Sequence, residues 1–349
     1  MYFLVISAYC KVFCIFCFNF SVRKCIIYNS FRIYKETISI LEIHERNDEM
    51  RRDTKIAFVG GDMRQIYCAR KIADEGFEAA VYGFGKEACD IGLCTKCVEL
   101  SDVLEKADVV VLPLPASNDS VFINTPLSDK PIKLDDALAV SSGAKLILYG
   151  GSCPKIEQHC RKYGIACIDY SKREDFQILN AEPTAEGALA IAINEMKKTL
   201  CGSTALVIGY GRIGKILSRY LCALGARVYS SARKPGDLAY IKISESKAIH
   251  TNDISRILPE CDLILNTVPK TLLKDELLDL IRKDALIIDL ASKPGGIDFK
   301  PAKEKGLNVI WALSLPGKTA PISAGEILAD TILEIVSESG ICEERTGCS

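Results

Sequence analysis

From residue 50 onward, short apolar runs alternate with longer amphipathic stretches. The runs are rich in Val, Ile and Leu, which is typical of parallel strands covered by helices on both faces. In the first half the pattern predicts strands at 55–59, 79–82, 108–112, 145–148 and 166–168. In the second half it predicts strands at 204–208, 226–230, 262–266, 285–290 and 308–313. The predicted fold class is therefore α/β, with two Rossmann-like parallel-sheet domains joined by connector helices and a cleft between them.

Helical spacing of apolar residues marks two further segments. Residues 183–200 predict a connector helix capped by Thr184, and residues 325–337 predict a helix near the end of the chain. We expect an N-terminal substrate and partner domain at 50–183 and a dinucleotide-binding domain at 184–319. A C-terminal helix at 320–340 is expected to pack back on the first domain.

The first 49 residues differ from the rest. Of the 12 Phe, 13 Tyr and 1 Trp residues, ten lie in this segment, and residues 1–20 are apolar apart from Lys11. By length that stretch could just span a bilayer. It makes a poor secretory signal, because no basic region precedes it and no small-residue cleavage site follows. The preferred interpretation is a start site placed too early, with Met50 as the true first residue and 1–49 no part of the native chain. Otherwise 1–49 is an apolar or disordered extension.

Composition excludes several classes of protein. With 44 Lys+Arg against 45 Asp+Glu and 48% hydrophobic residues, the chain is neither disordered nor a general polyanion binder. We therefore predict no nucleic-acid partner and no membrane partner. The 16 cysteines are spread over a chain too long for a disulfide scaffold, which favours reduced thiols in the cytoplasm.

Cys89, Cys94 and Cys97 have a C-x4-C-x2-C spacing that resembles part of an iron–sulfur motif. No sequence feature nominates a fourth ligand, and the second ligand pair that zinc would need is missing. The prediction is that the chain holds no metal.

The sharpest motif is the glycine-rich segment GYGRIG, which directly follows the strand at 204–208 and opens a helical pattern. This is the context that a dinucleotide-binding fingerprint requires. Gly209 permits a tight turn, Gly211 lets a diphosphate approach the backbone, and Gly214 lets the helix pack against the strand. The predicted cofactor-binding residues of this motif are Gly209, Tyr210, Gly211, Arg212, Ile213 and Gly214.

The end of the next strand selects the form of the cofactor. An NAD site usually carries Asp or Glu there, but here the position holds Ser230 or Ser231, and no carboxylate follows before Asp237. Hydroxyl groups and the fork of Arg233, followed by Lys234, suit a 2′-phosphate. The sequence thus predicts NADP, with NAD possible; the alternative is that Arg233 and Lys234 form only a solvated turn.

Later strand ends are expected to surround the nicotinamide, since ligands bind at the carboxyl ends of parallel strands. The cofactor candidates there are Thr267, Val268, Pro269, Asp289 and Ala291. Lys293 and Lys318 lie in two glycine-containing loops and predict a positively charged floor, and Arg64 at a helix start suits a substrate carboxylate. None of the three histidines, His44, His159 and His250, is predicted to be a catalytic base, which counts against a 2-hydroxyacid dehydrogenase.

From Lys55 to about Ser337 the chain resembles the dipicolinate synthase A-subunit family of spore-forming bacteria. The segments that carry the resemblance are IAFVGGDMRQ (56–65), NAEPTAEGALAIA (180–192), VIGYGRIG (207–214), GARVYSSAR (225–233), DLASKPGGIDF (289–299) and SLPGKTAPISAGEIL (314–328). Sequences of this family begin near Met50, which agrees with the late start.

The resemblance implies oxidation of a dihydrodipicolinate-type product of the lysine pathway to pyridine-2,6-dicarboxylate, with NADP+ as hydride acceptor. It also implies a second, flavoprotein-like B-subunit as partner and a place in the mother-cell cytoplasm during sporulation. The candidate catalytic residues are Arg64, Glu182, Lys293 and Lys318. The three cations suit a small dicarboxylate substrate, and Glu182 is a candidate base. Glu186 and Asp289 are further candidate bases, although Glu182 and Glu186 could instead flank or cap the connector helix. Two alternatives stay open: another NADP-dependent dehydrogenase of a 2-hydroxy or 2-amino acid, and a non-catalytic NADP-binding subunit.

Overall fold

The computed structural model describes residues 54–85 and 90–341, which form two all-parallel sheets of six strands each. The strands of the first sheet are β1 (Lys55–Val59), β2 (Glu78–Tyr82), β3 (Thr95–Lys96), β4 (Val109–Val111), β5 (Leu146–Tyr149) and β6 (Ala166–Asp169). Their order across the sheet is β3-β2-β1-β4-β5-β6. Strands β2 and β3 extend the sheet to one side of β1, and β4 to β6 extend it to the other. The boundary between β1 and β4 is the topological switch point at which Rossmann-type sheets bind ligands.

The second sheet repeats this topology. Its strands are β7 (Thr204–Ile208), β8 (Arg227–Ala232), β9 (Lys247–His250), β10 (Leu263–Asn266), β11 (Leu286–Asp289) and β12 (Asn308–Trp311), in the order β12-β11-β10-β7-β8-β9. Counted from β7, this is the order of the first sheet. The predicted fold class, two Rossmann-like α/β domains, is confirmed.

Helices connect the strands and cover the sheets. In the first half they are α1 (Met63–Asp74), α2 (Leu100–Leu104), α3 (Leu134–Val140), α4 (Pro154–Tyr163) and α5 (Glu174–Leu179). They are followed by α6 (Ala181–Glu195), α7 (Arg212–Ala223), α8 (Pro235–Ile243), α9 (Glu276–Asp279), α10 (Phe299–Glu304), α11 (Leu315–Thr319) and α12 (Pro321–Glu338). Short 3-10 turns lie at Ser141–Gly143, Tyr170–Lys172, Thr251–Arg256 and Leu258–Glu260.

The central strands form the cores. Every residue of β4, β5, β7, β10 and β11 is buried, as expected for strands with helices on both faces. Two of the four edge strands, β3 and β9, are absent from the sequence prediction. Thr95 and Lys96 are both exposed and β9 begins with the exposed Lys247, so neither strand carries the apolar run that reveals a central strand.

The connector helix α6 starts earlier than predicted, at Ala181. Thr184 is not its cap, because its Oγ1 donates back to the carbonyl of Asn180, 2.8 Å away, from inside the first turn. The fully buried Ala185, Ala188 and Ala192 pack α6 on the core of the second sheet. Small side chains permit that close approach.

Helix α12 contacts α1 of the first sheet. A Cβ at Gly325 would lie 2.6 Å from the Cβ of Tyr67, and the ammonium group of Lys71 pairs with Asp330. The domain limits at 183 and 319 stay predictions. The predicted extension 1–49 and the Met50 start lie outside the described residues. Over 54–85 and 90–341, no helix combines the length and the apolar character needed to cross a membrane.

Candidate functional site

The three glycines of the glycine loop after β7 have three different environments. Gly209 has a φ of +98°, and a Cβ there would lie 2.5 Å from Oγ1 of Thr267. A Cβ at Gly214 would overlap the carbonyl oxygen of Gly209, so the start of α7 packs directly on the turn. At Gly211, by contrast, an added Cβ would meet nothing within 4 Å.

The open space at Gly211 lies at the N-terminus of α7. Gly211 precedes the first residue of the helix and provides no side-chain cap, and the first turn carries no acidic residue. The unpaired N–H groups of a helix start, together with the positive end of the helix dipole, form an anion site. The residues present therefore fit the diphosphate of a dinucleotide.

Two other loop residues point in different directions. The Arg212 guanidinium forms a two-pronged ion pair with Glu174 of α5, with Nε donating to Oε1 at 2.9 Å. This pair lowers the pKa of Glu174 and joins the glycine loop to the first sheet's side of the cleft. The Tyr210 ring faces the ammonium group of Lys215, 5.8 Å from its centroid, and both line a cavity of about 640 Å³ between α7 and α8.

The serine prediction at the end of β8 is not supported by the structure. Ser230 and Ser231 are completely buried. The Ser230 hydroxyl is hydrogen-bonded to Ser218 at 2.7 Å and donates to Ser246 at 3.0 Å, while Ser231 accepts a long 3.5 Å hydrogen bond from Thr251. These hydroxyls link β8 to its neighbours and present no surface to a ligand.

The residues that do face outward at this strand end follow the serines. Ala232, the last residue of β8, is buried, and the exposed Arg233 and Lys234 come next. The strand end therefore presents two cations where an NAD site has a carboxylate. Because Ser230 and Ser231 are buried, their hydroxyl groups are not available to a 2′-phosphate in this structure. The argument from the positive charges of Arg233 and Lys234 is unaffected.

The loops after β10 and β11 are held together by a buried pair. The Asp289 carboxylate accepts hydrogen bonds from the Asn266 amide at 2.7 Å, from the backbone N–H of Ala291 at 3.1 Å and from that of Gly296 at 2.7 Å. Asp289 and Asn266 are both fully buried. The structure therefore gives Asp289 a positioning role, while its predicted contact with the cofactor and its candidacy as a base stay predictions.

The other predicted residues of these loops are placed unevenly. Thr267 lines the cleft, and its hydroxyl donates to the carbonyl of Ile208 at 2.9 Å. Val268 is half-buried and Pro269 is exposed, whereas Ala291 is buried and its carbonyl accepts the indole N–H of Trp311 at 2.9 Å. Of this group, Thr267 and Val268 are the residues that the structure brings to the glycine loop, both beside Gly209.

A cleft of about 300 Å³ opens between the glycine loop and the helices α5 and α6. Its lining residues are Leu114, Ser171, Phe176, Gln177, Asn180, Ala181, Thr184, Gly211, Arg212, Ile213 and Thr267. This volume lies at the lower end of the usual range for small-molecule sites, about 300–1,000 Å³. Residues from the carboxyl ends of both sheets thus meet at one place.

Comparison with known proteins agrees with this geometry. The family model for the N-terminal domain of the dipicolinate synthase A-subunit matches residues 55–171, and that of the D-isomer specific 2-hydroxyacid dehydrogenase NAD binding domain matches residues 184–293. The dipicolinate synthase A-subunit of Bacillus subtilis (strain 168) is 32% identical over 287 residues, which cover 81% of this chain and 96% of that protein. The chain belongs to the dipicolinate synthase A-subunit family.

Solved structures of the dipicolinate synthase A-subunit family share the fold. The crystal structure from Bacillus subtilis has a TM-score of 0.75 at 31% identity and covers 85% of this chain and 100% of its own. The structure from Bacillus halodurans has a TM-score of 0.73 at 29% identity, with coverages of 81% and 98%. Together with the dehydrogenase-type domain, this supports a nicotinamide cofactor and an oxidoreductase as the enzyme class.

Arg64 of this dipicolinate synthase homologue is not a free cation. It is 7% exposed, and its guanidinium donates to both Asp62 oxygens at 2.8 to 3.1 Å and to the carbonyl of Leu114 at 3.0 Å. A Cβ at Gly317 would overlap Asp62, so the loop after β12 packs directly on this pair. The predicted substrate cation instead joins the loops of the two sheets.

The remaining catalytic candidates of this family member lie away from the cleft lining. Glu182 is exposed on α6 and accepts a hydrogen bond from the hydroxyl of Tyr220 on α7, which raises the pKa of that tyrosine. Lys293 is exposed in its loop, and Lys318, predicted in a loop, is exposed in the short helix α11. The structure does not bring these three residues together with Thr267 and Gly211.

Histidine and cysteine predictions meet mixed outcomes. His159 has a buried Nε2 without a hydrogen-bond partner among the described residues, and burial lowers its pKa. The Nδ1 of His250 accepts the N–H of Asn252 at 3.2 Å. Cys94 is buried and Cys97 is half-buried, whereas Cys89 lies outside the described residues.

Sequence reasoning missed the polar residues that do line the cleft of this dipicolinate synthase relative. Gln177, Asn180 and Thr184 lie at the end of α5 and the start of α6. The available signal was the segment at 180–192, which carries much of the family resemblance. The same residues are also ordinary for a helix, so the sequence did not show that Asn180 and Thr184 line a site. That depended on which face of α6 lies against the glycine loop.

Proposed function

We propose that this chain is the NADP-dependent oxidoreductase component of a dipicolinate synthase, oxidising a dihydrodipicolinate to pyridine-2,6-dicarboxylate. The observation that carries the proposal is the open space at Gly211 above the start of α7, in a member of this family. A dinucleotide diphosphate fits that space, and the cleft beside it has room for a small ring.

The preference for NADP rests on the end of β8. Arg233 would form paired hydrogen bonds with the 2′-phosphate, and Lys234 would add a second positive charge. An NAD site has a carboxylate here that binds the ribose 2′-hydroxyl and would repel a 2′-phosphate. This chain has Ala232 at the strand end and no such carboxylate. NAD remains a possible second substrate because the diphosphate contacts are common to both coenzymes.

The reaction removes one hydride and one proton from the ring. The nicotinamide, when bound, accepts the hydride, and the ring gains aromatic stabilisation. Among the described residues that line the cleft there is neither a carboxylate nor a histidine. The protein's contribution is then to position the ring, and the proton leaves to solvent water at the cleft mouth.

Location and partner follow from the family. The proposed setting is the mother-cell cytoplasm during sporulation, and the proposed partner is the flavoprotein-like B-subunit of dipicolinate synthase. The lack of an acid–base side chain among the described residues of the cleft lining also favours a second candidate, in which the chain binds NADP but depends on this partner for chemistry.

One assay separates these candidates. The purified full chain is supplied with dihydrodipicolinate and NADP+, and the ultraviolet absorption of dipicolinate is followed together with NADPH at 340 nm. Product without the B-subunit supports the proposed function. Product only with the B-subunit supports the second candidate, and no product in either case contradicts both.

A further inference from the structure

Asn180 lies at the junction of α5 and α6, where the chain leaves the first sheet for the second. Its side chain borders two neighbouring spaces. One is the cleft shared with Gly211 and Thr267, and the other is a small cavity shared with Asp62 and Arg64. Asn180 therefore lies between the glycine loop and the buried ion pair that joins the two sheets.

The Oδ1 atom of Asn180 is buried and has no hydrogen-bond partner. A buried acceptor without a donor destabilises a fold by about 1–3 kcal/mol, and such groups are rare in native structures. An unsatisfied acceptor in the lining of a ligand-sized cleft points to a role in ligand binding.

Helix capping does not explain this asparagine. Asn180 precedes α6, a position where Asn usually accepts an N–H of the first turn. Here it has helical backbone angles, φ −69° and ψ −12°, and makes no side-chain capping bond. The third residue of the helix, Pro183, has no N–H to offer.

The neighbouring polar side chains are already satisfied within the protein. The Gln177 amide donates to the carbonyl of Ser171 at 2.8 Å, and the Thr184 hydroxyl donates to the carbonyl of Asn180 at 2.8 Å. The Thr267 hydroxyl donates to the carbonyl of Ile208 at 2.9 Å. Asn180 Oδ1 differs from these groups because none of the described residues donates a hydrogen bond to it.

We propose that Asn180 is a substrate-binding residue whose Oδ1 accepts a hydrogen bond from the ring N–H of dihydrodipicolinate in its enamine form, the N–H whose proton is lost on oxidation. This inference rests on the proposed function. The product, pyridine-2,6-dicarboxylate, has ionised carboxylates and an unprotonated ring nitrogen near neutral pH, so it offers only acceptors. Asn180 thus distinguishes the reduced ring from the aromatic product, and its hydrogen bond is lost when aromatisation is complete.

The test compares the full-length wild type with Asn180→Ala in the dipicolinate assay. We expect the KM for dihydrodipicolinate to rise at least tenfold, equivalent to about 1.4 kcal/mol. The inhibition constant of pyridine-2,6-dicarboxylate and the KM for NADP+ should stay within twofold of wild type. Because the variant removes an unsatisfied acceptor at a helical position, its Tm should be equal to or above that of wild type.

Asn194→Ala is the matched control, since Asn194 is exposed near the other end of α6 and should leave all four quantities unchanged. An Asn180→Ala variant with an unchanged substrate KM overturns the inference but leaves the proposed function standing. Equal weakening of substrate and product also overturns it, as does a lowered Tm with unchanged KM. A wild type that neither turns over the substrate nor is inhibited by the product contradicts the proposed function itself.

Discussion

Arg212 of the glycine loop pairs with Glu174 of α5 through two hydrogen bonds, and this contact connects the loops of the two sheets. Glu174 occupies Nε and Nη2 of the guanidinium and offsets the positive charge that would attract a diphosphate. The coenzyme would therefore compete with Glu174 for these two donors. Neutralising the carboxylate removes that competition.

Glu174→Gln should therefore bind NADPH about two- to fivefold more tightly than wild type, as measured by fluorescence titration at low ionic strength. Glu195→Gln, at the exposed end of α6, should leave the Kd unchanged. Weaker or unchanged binding by Glu174→Gln would show that Arg212 does not contact the coenzyme.

The end of β8 should control the choice between the two coenzymes. Arg233→Glu places a carboxylate where the 2′-phosphate is proposed, so the Kd for NADPH should rise at least about tenfold while NADH binding is unchanged or improved. Arg227→Glu makes the same charge change at the opposite end of the same strand and should alter neither Kd. An unchanged NADPH to NADH preference in Arg233→Glu would remove the basis for NADP.

Two alanine substitutions in the glycine loop should have opposite effects. Gly211→Ala adds a methyl group into open space at a negative φ, so the Tm should stay within about 1 °C of wild type while the coenzyme Kd rises at least tenfold. Gly214→Ala forces α7 away from Gly209 and should lower the Tm by about 5 °C, the result of about 2 kcal/mol of strain. A Gly211→Ala variant with normal coenzyme affinity would place the diphosphate elsewhere.

Asp289 should matter for stability rather than for proton transfer. The Asp289 carboxylate accepts all three of its hydrogen bonds. In Asp289→Asn one of its oxygens becomes an NH2 group, which cannot accept and instead faces a backbone N–H donor. The free energy of unfolding should fall by about 3 kcal/mol, measured by urea titration. Asp298→Asn, whose side chain makes no capping bond, is the control and should unfold like wild type. A stable but inactive Asp289→Asn enzyme would instead indicate a role in chemistry.

Asp262 predicts a pH dependence of stability. Burial alone would raise its pKa, but hydrogen bonds from Lys198, the N–H of Thr204 and Arg282 outweigh burial and lower the pKa from 3.8 to about 2. A carboxylate with a lowered folded-state pKa stabilises the fold above its unfolded pKa, and this stabilisation disappears as the pH falls through about 2.

The measurement is the difference in unfolding free energy between wild type and Asp262→Asn. It should be about 2 kcal/mol at pH 6, begin to shrink below about pH 4 and be nearly zero at pH 2. Asp253→Asn, at a half-buried aspartate whose ion pair is with the exposed Arg256, should track wild type throughout. A difference that does not change with pH would mean that the Asp262 charge contributes nothing.

The apolar runs and the glycine loop are sufficient to predict the two sheets and the dinucleotide site, because buried strands and tight turns each demand particular residue types locally. Ile56–Val59 and Ala205–Ile208 fit only the middle of a covered sheet, and Gly214 fits only where a helix start touches a turn. Thr95–Lys96 is short and fully exposed and Lys247–His250 begins with an exposed lysine, so neither of these edge strands carries a clear apolar run, and both were missed.

Which side chains meet in the cleft depended on the tertiary structure. Arg64, Ser230 and Asp289 carry the polar groups that a site needs, but Asp62, Ser218 and Asn266 already use those groups inside the fold. Asn180 was not predicted to be a site residue, yet it lies in the cleft lining with a buried oxygen that has no partner among the described residues. The sequence determines which residues can form hydrogen bonds, whereas the long-range packing of the two sheets decides which of those bonds remain for a ligand.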